Sequence, residues 1–163
     1  MGNPESRLTD FSNRVVVVTG GSRGLGLAMV EAFARCGADV VIASRKLSNC
    51  EKVATSVQES TGCRALPVAC HVGQWDQCDA LVAATYDAFG RCDVLINNAG
   101  GPVVNKPLAE LQEEDVDRVI GVNYLAAFRL SQTVFPGMCE RGYGRVVSIS
   151  SIGLKFGGSD RTV

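Results

Sequence analysis

With 163 residues, the chain is long enough for one ordinary domain that buries roughly 70% of the surface its unfolded form exposes, and too short for a two-domain enzyme. Apolar residues make up 46% of it and charged residues 20%, a balance that fits neither a disordered chain nor an integral membrane protein. Sixteen basic residues against seventeen acidic ones leave a net charge of -1 with no run of Lys and Arg, so neither nucleic acid nor an anionic membrane is an expected partner.

Residues 1–12 read as a loose, flexible tail ahead of a folded unit over 13–163. Val15-Val16-Val17-Val18 is a continuous β-branched run closed by Thr19-Gly20-Gly21, the pattern of a strand covered on both faces. Ala28, Met29, Ala32, Phe33 and Cys36 then recur at helical spacing, with Gly37 as the stop. Val40-Val41-Ile42-Ala43 is a second strand and residues 47–60 a second helix. Residues 64–69 form a third strand, which Pro67 assigns to a sheet edge. A helix over 76–89 precedes a fourth strand at Val94-Leu95-Ile96, a long helix covers 113–135, and a fifth strand covers 145–149. Strands alternating with helices imply right-handed crossovers and a doubly wound, parallel α/β sheet.

Seven cysteines (Cys36, Cys50, Cys63, Cys70, Cys78, Cys92 and Cys139) are odd in number, irregularly spaced and without a C-x-x-C pair. Reduced, partly buried thiols are expected, with neither a disulfide frame nor a metal site. The first residues, MGNPESRLTDFSNR, lack the apolar core of a secretory signal, so a cytoplasmic protein is expected.

Ligands of open α/β sheets bind beyond the carboxyl ends of the strands. Those ends hold Gly20 and Gly21, Ser44 and Arg45, His71, Asn97 and Asn98, and Ser150 and Ser151. Thr19-Gly20-Gly21-Ser22-Arg23-Gly24-Leu25-Gly26 lies between a buried strand and an amphipathic helix. Its glycines let a pyrophosphate approach the backbone, and the helix start offers free amides and the positive end of the dipole. The strict G-x-G-x-x-G spacing is absent. At the second strand end, an NAD site would carry Asp or Glu to accept from the ribose 2′-hydroxyl. Here Ala43-Ser44-Arg45-Lys46 supplies a guanidinium suited to a 2′-phosphate, which Arg23 can join, so NADP is expected over NAD. On the long helix, Val116, Ile120, Ala127, Leu130 and Val134 make an apolar face, and Asn123 falls on it as a buried amide in need of partners.

These motifs together resemble the short-chain dehydrogenase/reductase family from about Arg14 to Gly158. The family's T-G-x-x-x-G-x-G is Thr19 to Gly26, its N-N-A-G is Asn97-Asn98-Ala99-Gly100, its helix asparagine is Asn123, and its serine closes Arg145-Val-Val-Ser-Ile-Ser-Ser151. The resemblance implies a Rossmann fold of strand order 3-2-1-4-5 and an oxidoreductase moving hydride between a nicotinamide and a small carbonyl or alcohol substrate. A homo-oligomer is implied for a complete chain. The implied cofactor contacts are Thr19, Gly20, Ser22, Arg23, Gly24, Leu25, Gly26, Ser44, Arg45, His71, Val72, Asn98, Ala99 and Gly100. Ser151, with Ser150 as the alternative, would hydrogen-bond the substrate carbonyl, and Asn123 would position a water in a proton relay. The family usually has aspartate where His71 stands, so the usual adenine contact is altered and His71 reads as a structural or supporting residue.

In this family the proton donor is the tyrosine of Y-x-x-x-K, which by spacing should come just after Val163. Tyr143 precedes the serine, and Lys155 is not four residues after any tyrosine. The expectation is therefore a truncated or fragmentary chain, inactive alone, whose fifth strand lies open at the sheet edge and promotes self-association. The alternatives are a non-enzymatic dinucleotide-binding or dimerising module and a non-functional truncated product.

Overall fold

The structure, a computed structural model, describes residues 10–101, 104 and 106–151. Strands β1 (Val15–Thr19), β2 (Asp39–Ser44), β3 (Ala65–Ala69), β4 (Val94–Asn97) and β5 (Arg145–Ser148) form one parallel sheet in the order β3-β2-β1-β4-β5. Helix α1 (Gly24–Arg35) connects β1 to β2, α2 (Leu47–Thr61) connects β2 to β3, and α3 (Trp75–Phe89) leads from β3 across to β4. After a 3₁₀ turn at Leu108–Glu110, α4 (Glu113–Ile120), a wide π turn (Gly121–Leu125) and α5 (Ala126–Glu140) run on continuously before β5. The sheet is doubly wound in the expected order.

The valine run of β1 works because both faces are covered. Val15 and Val17 face a core layer with Leu81, Leu95, Leu130 and Val134, while Val16 and Val18 face another with Val30, Ile42, Ala54 and Val57. Alternation along a strand sends neighbours to opposite faces, so a strand between two helix layers has no polar side. Burial of each such side chain stabilises the fold by about 1.5–3 kcal/mol. β3 pairs only with β2, and the edge position tolerates the amide that Pro67 lacks. β5 forms the other edge, and all four of its residues are exposed, with Val146 and Val147 left uncovered among the described residues.

Two expectations meet corrections. Residues 1–9 of the expected tail lie outside the described residues, but residues 10–12 are held in place. The Phe11 amide donates to Cys36 O at 2.8 Å, and its ring packs edge-on against Phe33 with centroids 4.9 Å apart. The long helix also departs from its expected face. Val116 and Ile120 are exposed and Asn123 is exposed too, while the buried line runs Ala126, Leu130, Val134, Met138. The π turn inserts extra backbone and rotates everything before it relative to α5, so a single helical period does not carry across. Pro136, which the sequence places just past the helix, lies within α5.

Candidate functional site

A cleft of about 1160 Å³ opens at the carboxyl ends of β1, β2, β3 and β4, where the chain order reverses between β1 and β4. Its floor begins with the glycine loop. Gly20 has φ +66°, a left-handed conformation that an L side chain resists. Gly26 is fixed by space: a Cβ there would run into the carbonyl of Gly20 and the side chain of Asn98. Gly24 has the opposite surroundings, with no atom within 4 Å of a would-be Cβ, so the loop presents bare backbone to the cleft. Arg23 precedes α1 in extended conformation, no side chain caps this helix, and no acid lies in its first turn. Its first amides are thus unsatisfied donors at the positive end of a dipole.

Thr19 stands behind the loop. Its buried hydroxyl donates to Ile96 O at 3.1 Å and accepts from the amides of Asn98 and Ala99, both at 3.0 Å. Asn98 Nδ2 returns to Thr19 O at 2.8 Å and approaches Gly20 O at 3.5 Å. These bonds tie the end of β1 to the loop after β4. Thr19 does not line the cleft; it holds the two segments that do. Every other expected cofactor contact, from Gly20 through Gly100, does line it.

Ser44 Oγ lies 3.0 Å from Cys50 Sγ and donates to Lys46 O at 3.4 Å, which turns the end of β2 so that Arg45 and Lys46 border the cleft. Arg23, Arg45 and Lys46 all line it, and among the described residues no Asp or Glu does. Among the described residues none of the three has an ion-pair partner, unlike the arginines elsewhere in the fold that meet carboxylates. Three uncompensated cations in one concave site raise the local concentration of a polyanion. Lys46, Asn49, Cys70, Gly101 and Val122 are lining residues that motif reasoning missed; only Lys46 had a signal, its charge next to Arg45.

His71 also lines the cleft. Its Nδ1 accepts from the Gly73 amide at 3.2 Å, leaving Nε2–H as the donor of the neutral ring. The His71 amide donates to Gln77 Oε1 at 2.7 Å, which pins the turn after β3 to α3.

Asn123 and Ser151 fall outside the lining. Asn123 sits in the π turn, where its Oδ1 accepts from the Gly101 amide at 2.8 Å. Its Nδ2 donates to Gly101 O at 3.2 Å and Val119 O at 3.0 Å. A Cβ on Gly100 would lie 2.8 Å from that Oδ1, so the loop passes close over the asparagine. The amide is exposed yet fully engaged, correcting its expected burial in the apolar face. Ser150 and Ser151 lie past the end of β5, whose Ser148 pairs with Asn97 of β4, and both are exposed. Tyr143 precedes β5 at the amino end of the sheet, its ring 3.9 Å from the Arg14 guanidinium carbon and 5.0 Å from that of Arg145. It stands across the sheet from the cleft. The seven cysteines are free, and among the described residues no helix is long and apolar enough to cross a membrane.

A family model described as "short chain dehydrogenase" matches residues 14–162. Ketoacyl reductase HetN of a Nostoc species is 38% identical over 154 residues, covering 92% of this chain and 52% of that protein. Dehydrogenase/reductase SDR family member 4 of Oryctolagus cuniculus is 34% identical over 148 residues, covering 90% and 56%. The chain spans about half the length of the curated relatives it matches. Among solved structures, the L-sorbose reductase of Gluconobacter frateurii, complexed with NADPH and L-sorbose, superposes with a TM-score of 0.85 at 36% identity, over 88% of this chain and 54% of that one. A 7α-hydroxysteroid dehydrogenase complexed with NADH superposes with a TM-score of 0.89 at 27% identity, over 98% and 61%. The sheet order, the glycine loop, the Thr19–Asn98 tie and the family match agree: the chain belongs to the short-chain dehydrogenase/reductase family of oxidoreductases.

Proposed function

We propose that the cleft binds NADP(H) and that the chain serves hydride transfer between this cofactor and a small carbonyl or alcohol substrate. One observation carries the cofactor reading: Arg23, Arg45 and Lys46 line the cleft, and among the described residues no acidic one does. A carboxylate at the end of β2 would accept from a free 2′-hydroxyl and repel a 2′-phosphate; a guanidinium does the reverse. The unoccluded backbone at Gly24 and the uncapped start of α1 suit the pyrophosphate. Bound there, the nicotinamide supplies or accepts the hydride.

The chain's own groups then have distinct tasks. The glycine loop and the first amides of α1 hold the phosphates, and His71 and Val72 form the wall by the turn after β3. Asn98, Ala99 and Gly100 form the wall after β4 and would hold the nicotinamide end of the cofactor. Asn123 is a positioning residue that clamps Gly101 from both its amide and its carbonyl. Ser151 donates to the substrate oxygen, where negative charge develops on hydride arrival. No tyrosine of the 163 residues is followed by lysine four residues on, so these residues bind and orient without supplying the proton.

Fluorescence titration with NADPH and NADH tests the reading. Tighter NADPH binding is expected, together with no sustained NADPH oxidation by these 163 residues over a panel of ketones and aldehydes. Equal affinities or tighter NADH overturn the cofactor assignment. Turnover abolished by Tyr143→Phe overturns the view that the tyrosine at the far end of the sheet is a bystander.

A further inference from the structure

The turn after β3 has its acceptors engaged and two donors left over. His71 O accepts from the Gln74 amide at 2.9 Å, Val72 O accepts from Cys78 Sγ at 3.2 Å, and His71 Nδ1 accepts from the Gly73 amide at 3.2 Å. The imidazole is closely packed on this turn: a Cβ on Gly73 would lie 3.1 Å from His71 Cε1 and 3.2 Å from Val122 Cγ2. With Nδ1 engaged, the proton of the neutral ring sits on Nε2. That N–H has no protein partner among the described residues, and it belongs to a side chain that lines the cleft. The Val72 amide is likewise without a partner among the described residues. Across from the turn, Asn49 lines the cleft from α2 as an exposed carboxamide, which donates and accepts equally and so favours neither kind of ligand edge.

The sheet order says what this wall meets. With the pyrophosphate over the glycine loop at the end of β1 and the 2′-phosphate at Arg45 and Lys46 at the end of β2, the base on that same ribose falls on the β3 side. Neighbouring strands are only about 4.8 Å apart, so a purine there reaches His71. We propose that His71 reads the purine through an acceptor, a ring nitrogen or a carbonyl at C6, and not through the amino group of adenine; this rests on the NADP(H) reading above. The amino group of adenine is a donor, and the turn holds no unengaged acceptor for it. A hypoxanthine base, with a carbonyl in place of that amino group, suits the Nε2–H at least as well. A carboxylate at position 71 reverses the choice, because it accepts from the amino group and repels the carbonyl.

The probes are NADPH and reduced nicotinamide hypoxanthine dinucleotide phosphate, which carry the same nicotinamide fluorophore and differ only at C6 of the purine. Both are titrated into the 163-residue protein and into His71→Asp, with His71→Glu serving if the first variant does not fold. In the unmodified protein the hypoxanthine analogue is expected to bind within about threefold of NADPH or more tightly, and in the acidic variant the affinity ratio should move toward NADPH by about tenfold. NADPH bound well beyond that threefold margin by the unmodified protein overturns the proposal. So does an affinity ratio that the acidic variant leaves unmoved, since His71 then does not face the base. Binding of both dinucleotides with adenine preferred sinks this inference alone; binding of neither brings down the NADP(H) reading and this inference with it.

Discussion

The two ends of the sheet treat their charges in opposite ways. At the amino end, the fully buried Asp93 carboxylate accepts from the Val15 amide at 2.9 Å, meets Arg91 Nη2 at 2.6 Å and lies 3.6 Å from Arg14. At the carboxyl end, Arg23, Arg45 and Lys46 crowd a cleft that no carboxylate of the described residues lines. A buried charge that lacks partners is costly, so charges required only by the fold are neutralised within it. Charges left uncompensated in a concave site await a partner from solution, and that contrast separates the stabilising end from the binding end more clearly than any motif.

The contrast can be broken most severely at Gly26. In Gly26→Ala, the new Cβ collides with the Gly20 carbonyl and the Asn98 amide, and both are fixed by the Thr19 network. Overpacking of this kind costs about 1–3 kcal/mol, and because it lands on the phosphate loop NADPH affinity is expected to fall by about 100-fold. Isothermal titration measures the loss; unchanged affinity would show that the loop yields.

Next comes the amino end. Asp93→Ala leaves two arginines and the Val15 amide without their acceptor, a loss of about 3 kcal/mol, at the low end for a broken buried pair because both arginines are a third exposed and can rehydrate. Urea unfolding should register it, while the preference for NADPH over NADH in the folded fraction stays as it was. Arg45→Asp is the mirror experiment. Loss of a charge-assisted hydrogen bond of about 1.5–3 kcal/mol lowers NADPH affinity by about 10- to 150-fold, with little change in the urea midpoint. Should Asp93→Ala alter cofactor preference, or Arg45→Asp alter stability, the two ends are not separable.

The smallest effect belongs to the pair that joins α3 to α5. Arg129 meets Asp79 through two bonds, Nε–Oδ1 at 2.8 Å and Nη2–Oδ2 at 2.6 Å, and this holds the Asp79 carboxyl below the usual carboxylate range. A carboxyl depressed in the folded state contributes stability that is complete above its unfolded value, about pH 4, and is lost as pH falls through the folded value. The pair is partly exposed, so solvent screening keeps its contribution small. The gap in urea midpoint between the unmodified protein and Asp79→Asn should therefore be modest near neutral pH and close in acid. A gap that does not narrow as the pH is lowered would assign the stabilisation to packing instead.

Local chemistry determined much of this protein from sequence alone. β-branched runs marked β1, β2 and β4 because covering both faces of a sheet demands apolar residues at every position, and Pro67 marked an edge because it lacks a ladder donor. Glycines and a basic pair at strand ends marked the cleft because backbone freedom and charge belong to the residue itself. Tertiary structure decided what depends on distant partners. Thr19 turns inward to Asn98 and Ala99, about 80 residues away, and Asp93 is buried under Val15 at a separation of 78. The π turn rotates Asn123 off the face that a uniform helical period assigns it, because one wide turn shifts the phase of every residue beyond it.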